Sequence, residues 1–240
     1  MVITCQNFLN EIERMLIKCE TLKDVVDLHV VAESPITFTG LNKPMCFEKN
    51  KEKFSKYPIH YIDLSGIPET KAMRLDPWMR EEAQKKAVLE DLKKLDPEIV
   101  IFGDTDETPN PDVLEQFRQL NCDTANLEMD MLLFYFNRVD SNPWRYHRIC
   151  KFKGEIANRG DWTHPMIKDA GWHFEFFGDQ KTLLEKINAS SHGMEECGRS
   201  FYQACSRGEK PGVESCREYP EDKLPSYVLE NREKFSEWFA

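Results

Sequence analysis

The sequence lacks the features that direct a chain into or across a membrane. It contains no run of about 18 apolar residues, so no transmembrane helix is predicted. Residues 1–5 have neither a basic start nor a long apolar core, which argues against a secretory signal. The eight cysteines include no Cys-x-x-Cys pair, a pattern that favours free thiols in a reducing compartment. We therefore expect a cytoplasmic protein without a membrane span, with every cysteine reduced.

Basic residues are in the minority. The 32 Lys and Arg residues against 42 Asp and Glu residues give a net charge of −10. Nucleic acids and anionic membranes are bound by neutralising phosphates with basic side chains, so this balance argues against both partners. One local basic pocket for a phosphorylated small molecule remains compatible with it. An apolar share of 40% with 15 Phe excludes wholesale disorder.

Repeats and low-complexity linkers are also absent, and 240 residues suit a single domain. Residue spacing predicts an alternation of helices and strands through about residue 120, which is typical of an α/β fold with helices flanking a mostly parallel central sheet. The predicted helices cover 10–21, 47–57, 76–95, 179–187 and 227–239. The predicted strands cover 27–32, 59–64, 98–102, 129–138, 146–152 and 171–177.

Acidic residues follow the apolar strand over 98–102. Asp104 and Asp106 are two residues apart, so in an extended chain their carboxylates project to the same side. Ligands of open α/β sheets bind outside the carboxyl ends of strands. Such a pair can hold a hard divalent cation that also binds substrate phosphates. The alternative is a polar turn with an aspartate cap.

Two further polar groups fall at places where a ligand is expected. On the helix over 76–95, Glu81 and Gln84 continue the apolar stripe of Val88 and Leu92, so polar groups point inward at its first turn. Glu33 ends the strand over 27–32, near Asp104 if the two strands are neighbours. The alternatives are rim or capping residues on the helix and a carboxylate in a turn.

The fourth group lies in and after the strand over 171–177. His173 and Glu175 share one face of that strand, and Asp179 follows at a helix start. A histidine with two nearby carboxylates indicates a functional site. The alternative is a structural histidine with Asp179 as a helix cap.

These pieces occur in an order that resembles glycosyltransferase family 17, the family of the bisecting β-1,4-mannosyl-glycoprotein N-acetylglucosaminyltransferase and its soluble microbial and viral members. Each matching segment is weakly specific, whereas their order and spacing over nearly the whole chain are specific. The segments are Phe8–Glu11, Val30–Ser34, Phe38–Gly40, Pro77–Trp78 with Arg80, Glu81 and Gln84, Asp104–Glu107 with Pro109, Gly171–Phe174, Ser191–His192, and Leu224–Pro225 with Tyr227 and Asn231.

The resemblance implies a GT-A-like nucleotide-sugar-binding fold over residues 1–240, with a nucleotide-sugar half over 1–120 and an acceptor half over 121–240. It implies a metal-dependent, inverting transfer of a sugar, foremost N-acetylglucosamine, from a UDP-sugar to a glycan or glycoprotein acceptor. Mn²⁺ or Mg²⁺ is the implied cofactor. The implied metal residues are Asp104, Asp106 and His173, and the implied donor contacts are Glu33, Arg80, Gln84 and Asp104.

Inversion needs a carboxylate opposite the leaving UDP, where it takes the proton of the acceptor hydroxyl. The candidates are Asp179, Glu175 and Glu195, and the resemblance favours Asp179, because GT-A-like inverting enzymes often carry their base at a comparable strand-to-helix junction. Two other functions use the same residues. One is a metal-dependent phosphodiesterase or nucleotidyltransferase, and the other is a catalytically inactive nucleotide-sugar-binding protein.

Overall fold

Four parallel strands in the order β3-β2-β1-β4 form the N-terminal half of the sheet. They are seen in a computed structural model that describes residues 1–156, 158–190 and 193–240, with the backbone alone over 193–197. Parallel neighbours need crossover connections, and helices supply them. The elements are β1 (Val2–Phe8), α1 (Ile12–Leu22), β2 (Leu28–Glu33), α2 (Cys46–Asn50), β3 (Ile59–Asp63), α3 (Lys71–Leu75), α4 (Pro77–Leu95) and β4 (Ile99–Phe102), with a 3₁₀ turn over Lys51–Phe54.

The C-terminal half extends this sheet through an antiparallel strand, β8, which lies between β4 and β6. β10 then runs parallel to β6 and antiparallel to β5. The α/β fold class with flanking helices is therefore confirmed, and the antiparallel pairs belong to this second half. Its elements are β5 (Glu107–Pro109), α5 (Val113–Gln119), β6 (Thr124–Leu133), β7 (Arg138–Val139), β8 (Trp144–Lys151), β9 (Met166–Ile167), β10 (Gly171–Glu175), α6 (Gln180–Ala189), α7 (Gly193–Ser206), β11 (Arg217–Glu218) and α8 (Ser226–Glu230).

Helix α4 follows its local sequence closely. Asp76 caps it by accepting a hydrogen bond from the backbone N–H of Trp78 at 3.0 Å, and Pro77 occupies the first turn. The buried residues of α4 fall at four-residue intervals: Arg80, Gln84, Val88 and Leu92. The apolar half of this stripe packs on β1, β2 and β4. Its polar half, Arg80 and Gln84, points inward at the carboxyl edge of the sheet.

The central strand β1 is absent from the sequence prediction. Its apolar pattern is broken by Thr4 and Gln6, which are nevertheless buried. Thr4 Oγ1 lies 2.7 Å from His29 Nδ1, and Gln6 Nε2 donates to the carbonyl of Val30 at 2.9 Å. Both partners are in the adjacent strand β2. Cross-strand hydrogen bonds make these polar residues acceptable in the core, and a single strand's sequence does not show them.

The helix predicted over 227–239 is wrong. Helix α8 ends at Glu230, and only Ser236–Trp238 form a further 3₁₀ turn. The aromatic residues of this segment surround one ring, since the centroids of Phe235, Trp238 and Phe239 lie 5.8, 5.6 and 5.3 Å from that of Phe136. Their spacing of i, i+3 and i+4 is helical, but the carbonyl of Trp238 accepts a hydrogen bond at 2.7 Å from the N–H of Phe136, outside the segment. Tertiary packing therefore overrides the local pattern.

Two predicted strands end earlier than expected. The strand over 129–138 ends at Leu133, where Phe134 takes a positive φ of 61°. The strand over 171–177 ends at Glu175, before Phe176 with a φ of 59°. Continued alternation of the strand would place Phe174 and Phe176 on one face. The left-handed Phe176 interrupts the alternation, so Phe177 and not Phe176 packs with Phe174.

The side chains of seven cysteines are described, and none of these seven forms a disulfide; the side chain of Cys197 lies outside the described residues. In the described ranges, no helix has the length and hydropathy needed to cross a bilayer.

Because His29 is buried and neutral, the free energy of unfolding depends on pH. Burial, assisted by the charge of Lys18, lowers the pKa of His29 from 6.5 to about 3. The unfolded chain therefore takes up a proton near pH 6.5 that the native chain refuses, so stability falls as the pH drops below 6.5. Between pH 6.5 and about 5 we expect wild type to lose about 1.5 kcal/mol more unfolding free energy than His29→Gln. Urea unfolding at both pH values measures this difference, and equal losses would contradict it.

Candidate active site

The turn after β4 brings acidic residues to the carboxyl edge of the sheet. Gly103 begins this turn, and a Cβ there would lie 2.1 Å from His147 Nδ1 and 2.2 Å from Glu107 Oε2. The N–H of Glu107 donates to the carbonyl of Asp104 at 3.1 Å, which closes the turn. Thr105 Oγ1 donates to the carbonyl of Asn7 at 2.7 Å and ties the turn to the end of β1.

Three ligand-type side chains converge beside this turn. Asp106, His173 and Glu175 each offer an atom within 4.8 Å of the others. His173 Nε2 lies 2.7 Å from Glu175 Oε2 and 3.7 Å from Asp106 Oδ2. We call these three residues the acidic cluster. The prediction that His173 and Glu175 share one strand face is confirmed.

Lys186 of α6 supplies the balancing charge. Its ammonium group contacts Asp106 and lies 3.0 Å from Glu175 Oε1. Burial alone would raise the pKa of Asp106, but Lys186 and His173 hold it well below its usual range. Burial would lower the pKa of His173, yet Glu175 and Asp106 raise it to about 10. At neutral pH the group therefore holds two negative and two positive charges.

The acidic cluster fits a divalent cation. Two carboxylates and an imidazole are donors that suit Mn²⁺, and carboxylates suit Mg²⁺. His173 Nδ1 is buried without a hydrogen-bond partner in the described part of the chain, so the ring is held only through Nε2. Exchanging the proton of His173 and the Lys186 ammonium for one divalent cation leaves the net charge unchanged.

Asp104 is separated from this cluster. Its carboxylate pairs with Arg159, whose Nη1 lies 2.8 Å from Asp104 Oδ2. The expectation that Asp104 and Asp106 project to one side is wrong, because the segment is a turn and not an extended strand. Arg159 also contacts Glu107, and Glu81 on α4 helps to raise the pKa of Arg159. The first turns of α4 thus lie close enough to act on the Asp104–Arg159 pair.

Glu107 is the most heavily engaged carboxylate of the site. It is fully buried and accepts hydrogen bonds from Trp144 Nε1 at 2.6 Å, from the N–H of Asp104 at 2.9 Å and from His147 Nδ1 at 2.7 Å. Burial would raise its pKa, but Arg159 and His147 hold it below its usual range. Rigid donors on every side make Glu107 a structural support for the turn.

The structure places Arg80 and Gln84 together beside the loop that follows β2. Arg80 Nη1 donates to the carbonyl of Phe38 at 2.8 Å, and its Nη2 pairs with Glu69. The cavity beside them has a volume of only about 30 Å³. A nucleotide needs roughly ten times that volume. A donor bound there requires the Arg80–Glu69 closure to open.

Glu33 is not brought to the acidic cluster. β1 separates its strand from β4, and its carboxylate accepts from the N–H groups of Phe47 and Glu48 at 2.9 and 3.2 Å, at the start of α2. It also lies 3.3 Å from Lys43 Nζ. Lys43 also lines a cavity of about 470 Å³, together with Leu184 and Asn188 of α6. That face of α6 is opposite Lys186, so this cavity lies away from the acidic cluster.

Asp179 caps helix α6. It is exposed, and its Oδ1 accepts from the N–H of Thr182 at 2.8 Å, which lowers the pKa of the carboxyl. Asp179 is thus observed as a helix cap, and a capping carboxylate can also have a second role. Ser191, His192 and the side chain of Glu195 lie outside the described part of the chain.

Sequence reasoning missed the cations of the site. Lys186 and Arg159 pair with its carboxylates, and buried Lys18 donates to the carbonyl of Asp104 at 2.7 Å. Burial lowers the pKa of Lys18 to about 8, against the raising effect of Glu107 and Asp106. Of these three cations, Lys18 could have been suspected from the sequence, because it lies in the amphipathic helix α1 between the buried Ile17 and Cys19.

The family comparison decides the assignment of this acidic site. The model described as Glycosyltransferase family 17 matches residues 2–207. The chain belongs to glycosyltransferase family 17. The resemblance carried by the ordered segments is thereby confirmed, and this family-17 protein is a transferase. The mixed α/β sheet agrees with the nucleotide-sugar-binding fold expected for it.

Solved structures resemble this family-17 chain only distantly. S. aureus TarS 1-349 in complex with UDP-GlcNAc is 14% identical, with a TM-score of 0.36, over 57% of this chain and 39% of that one. TarS 1-349 is 11% identical, with a TM-score of 0.40, over 85% and 69%. The inositol-1-phosphate CTP transferase from T. maritima is 11% identical, with a TM-score of 0.40, over 88% and 96%. Likeness at this level carries no argument about function. No curated protein matches the chain significantly.

The structural role of Glu107 can be measured. Glu107→Ala leaves the Arg159 guanidinium and the Trp144 indole N–H without their acceptor, so we expect a loss of about 3–5 kcal/mol of unfolding free energy. Glu115→Ala, an exposed change on α5, is the control and should cost less than about 0.5 kcal/mol. Urea unfolding compares the two variants. A loss below about 1 kcal/mol for Glu107→Ala would show that the turn does not depend on this carboxylate.

Proposed function

We propose that this family-17 transferase moves a sugar from a UDP-sugar to a glycan or glycoprotein acceptor, with inversion and with a divalent cation, Mn²⁺ or Mg²⁺. N-acetylglucosamine is the foremost candidate for the sugar. The observation that carries the proposal is the convergence of Asp106, His173 and Glu175 at the carboxyl edge of the sheet. Ligands of open α/β sheets bind at this edge.

The donor is proposed to bind in the half formed by residues 1–120. Its proposed contacts are Asp104 and the buried Arg80 and Gln84, in a space between the turn after β4 and the first turns of α4. Glu33 contributes indirectly, because it orients Lys43 and the start of α2. In the resting form this space is closed by the pairs of Arg80 with Glu69 and of Asp104 with Arg159. Diphosphate oxygens are competing partners for both guanidinium groups.

The cation is proposed to be held by Asp106, His173 and Glu175, and when bound it neutralises negative charge on the UDP leaving group. Asp104 reaches the donor ribose or the cation from the other side of the turn. Lys186 keeps the carboxylates paired until the cation arrives. Glu175, within 4.8 Å of Asp106 and His173, therefore lies on the leaving-group side. This position is unfavourable for the catalytic base of an inverting reaction.

Asp179 remains the preferred base. It caps α6 seven residues before Lys186, so the two residues are separated by about two helical turns, or about 10 Å, along the axis of α6. A sugar ring fits between a diphosphate near Lys186 and an acceptor near Asp179. In the proposed step the acceptor oxygen bonds to the anomeric carbon as the bond to the UDP oxygen breaks. The hydroxyl proton passes to Asp179, and UDP leaves with the electron pair.

Metal dependence is the first test of the proposed reaction. A panel of UDP-sugars with saccharide acceptors should release UDP only with Mn²⁺ or Mg²⁺, and chelation should abolish release. Asp106→Asn keeps the side-chain volume but removes a negative charge, so turnover should fall by about 10²-fold or more. Asp123→Asn, an exposed change that lies outside the site, is the control. Undiminished turnover of Asp106→Asn in excess chelator would refute the proposal.

The products of that panel separate the alternatives. A sugar added to the saccharide and free UDP support the transferase. UMP, or a nucleotide joined to the acceptor, would identify a phosphodiesterase or nucleotidyltransferase. Metal-dependent UDP binding without any product would identify a nucleotide-sugar-binding protein.

The base is tested with the donor and acceptor that turn over fastest. Asp179→Asn keeps most of the capping ability but cannot accept a proton, so kcat should fall by about 10²-fold while the melting temperature and UDP affinity hold. Asp76→Asn makes the same change at the cap of α4 and should keep its kcat. A near-normal kcat for Asp179→Asn would leave Asp179 as a cap alone and make Glu175 the leading candidate.

A further inference from the structure

Two large aromatic side chains are exposed beside the site. Trp162 is 50% exposed and Tyr146 is 41% exposed, and their ring centroids lie 5.0 Å apart with the planes at 73°. We call these two residues the aromatic platform. Exposed apolar groups that lie together mark binding surfaces more often than isolated ones do. None of the roles assigned above uses either ring.

The platform is connected to the acidic cluster by a row of contacting rings. Tyr146 contacts Trp144 with centroids 4.8 Å apart, and Trp144 contacts His173 at 4.5 Å. Trp144 cannot turn freely, because its Nε1 donates to Glu107 at 2.6 Å. A continuous row of rings therefore leads from solvent to a member of the acidic cluster.

Arg159 connects the platform to the proposed donor space. Its Nε donates to the carbonyl of Tyr146 at 2.9 Å, while its Nη1 reaches Asp104 Oδ2 at 2.8 Å. One guanidinium group thus spans the distance between the platform and Asp104. A ligand on the platform would lie within one side chain's length of a donor at Asp104.

The platform is also held from the protein side. The buried Arg148 guanidinium lies 5.3 Å from the ring centroid of Trp162, an attractive cation–π position. Arg148 itself donates to the carbonyls of Arg145 and His147 at 2.6 and 2.9 Å. Because Arg148 is fixed, it supports Trp162 in one orientation. A preformed ring surface binds a ligand at a lower entropic cost than a mobile one.

We propose that the aromatic platform binds a pyranose ring of the acceptor saccharide. This inference rests on the proposed function and names the acceptor subsite of the same reaction. A pyranose presents C–H groups on one face, which pack on aromatic rings, and hydroxyls around its rim. The carboxylate of Asp161, which directly precedes Trp162 in the chain and is 40% exposed, offers hydrogen-bond acceptors to such a rim. The near-perpendicular rings form a corner that suits a puckered sugar better than a flat base.

Position also favours the acceptor over the donor. Tyr146 and Trp162 belong to the half over 121–240, and Arg159 stands between them and Asp104. The donor contacts proposed above lie on α4 and the turn after β4, on the other side of that guanidinium. An acceptor on the platform therefore approaches the donor from the side that the donor leaves open.

Direct binding tests the platform without turnover. Chitotriose and mannotriose are titrated into wild type, Trp162→Leu, Trp162→Phe and Tyr146→Leu, by calorimetry. Leucine keeps an apolar side chain but removes the ring, so the Kd for at least one saccharide should rise about threefold to tenfold in both leucine variants. Trp162→Phe should stay within about twofold of wild type. Leu75→Ala, which trims another exposed apolar side chain, is the control and should bind as wild type does.

Each result decides for or against the platform. Failure of wild type to bind either saccharide at millimolar concentration, or equal Kd values for Trp162→Leu and wild type, would overturn it. A loss of UDP affinity with saccharide affinity unchanged would assign the rings to the donor and also overturn it. Unchanged melting temperatures show that the variants are folded. Ring-dependent saccharide binding by a protein that releases no UDP from any UDP-sugar would refute the proposed function and leave the platform standing.

Discussion

Burying carboxylates at the carboxyl edge of the sheet is the constraint on which the rest of the site depends. Asp106 and Glu107 are both buried in consecutive positions of one turn. A buried carboxylate is costly unless cations or hydrogen-bond donors surround it. Glu107 is paired with Arg159, His147 and Trp144. Asp106 is paired with Lys186 and His173. These partners come from β8, β10, α6 and the loop after β8, so the charge requirement fixes how the C-terminal half meets the parallel sheet.

The sequence predicts well those parts of the fold that local chemistry decides. Helix α4 has its cap, its proline and its apolar stripe in one continuous segment, and it forms as expected. Strand β1 is not predicted from the sequence, because its buried Thr4 and Gln6 depend on hydrogen-bond partners in β2. The C-terminal segment shows the opposite error. Its sequence has a helical pattern, but its aromatic residues pack around the ring of Phe136 and most of the predicted helix does not form. Local patterns predict elements only where tertiary contacts do not compete with them.

The same division applies to the site. The sharing of one strand face by His173 and Glu175 follows from a period of two and is found in the structure. The carboxylates of Asp104 and Asp106 diverge because the chain turns after Gly103. A glycine is needed there, since a Cβ at this position would collide with His147 and Glu107. Lys186 and Arg159 stand about 80 and 55 residues from the carboxylates they meet. The spacing of residues in a single sequence does not predict contacts between residues so far apart in the chain.

The type of partner separates structural carboxylates from functional ones. Glu33 accepts from backbone N–H groups at the start of α2, and Glu107 accepts from a backbone N–H, an indole and an imidazole. These donors are fixed by the fold, so neither carboxylate can take a new partner without breaking structure. Asp106 and Glu175 instead share His173 and Lys186, and the long side chain of Lys186 can move away where another cation replaces its charge. An acidic cluster that is balanced by a flexible side chain is stable without a ligand and can exchange that side chain for a divalent cation, as the proposed function requires.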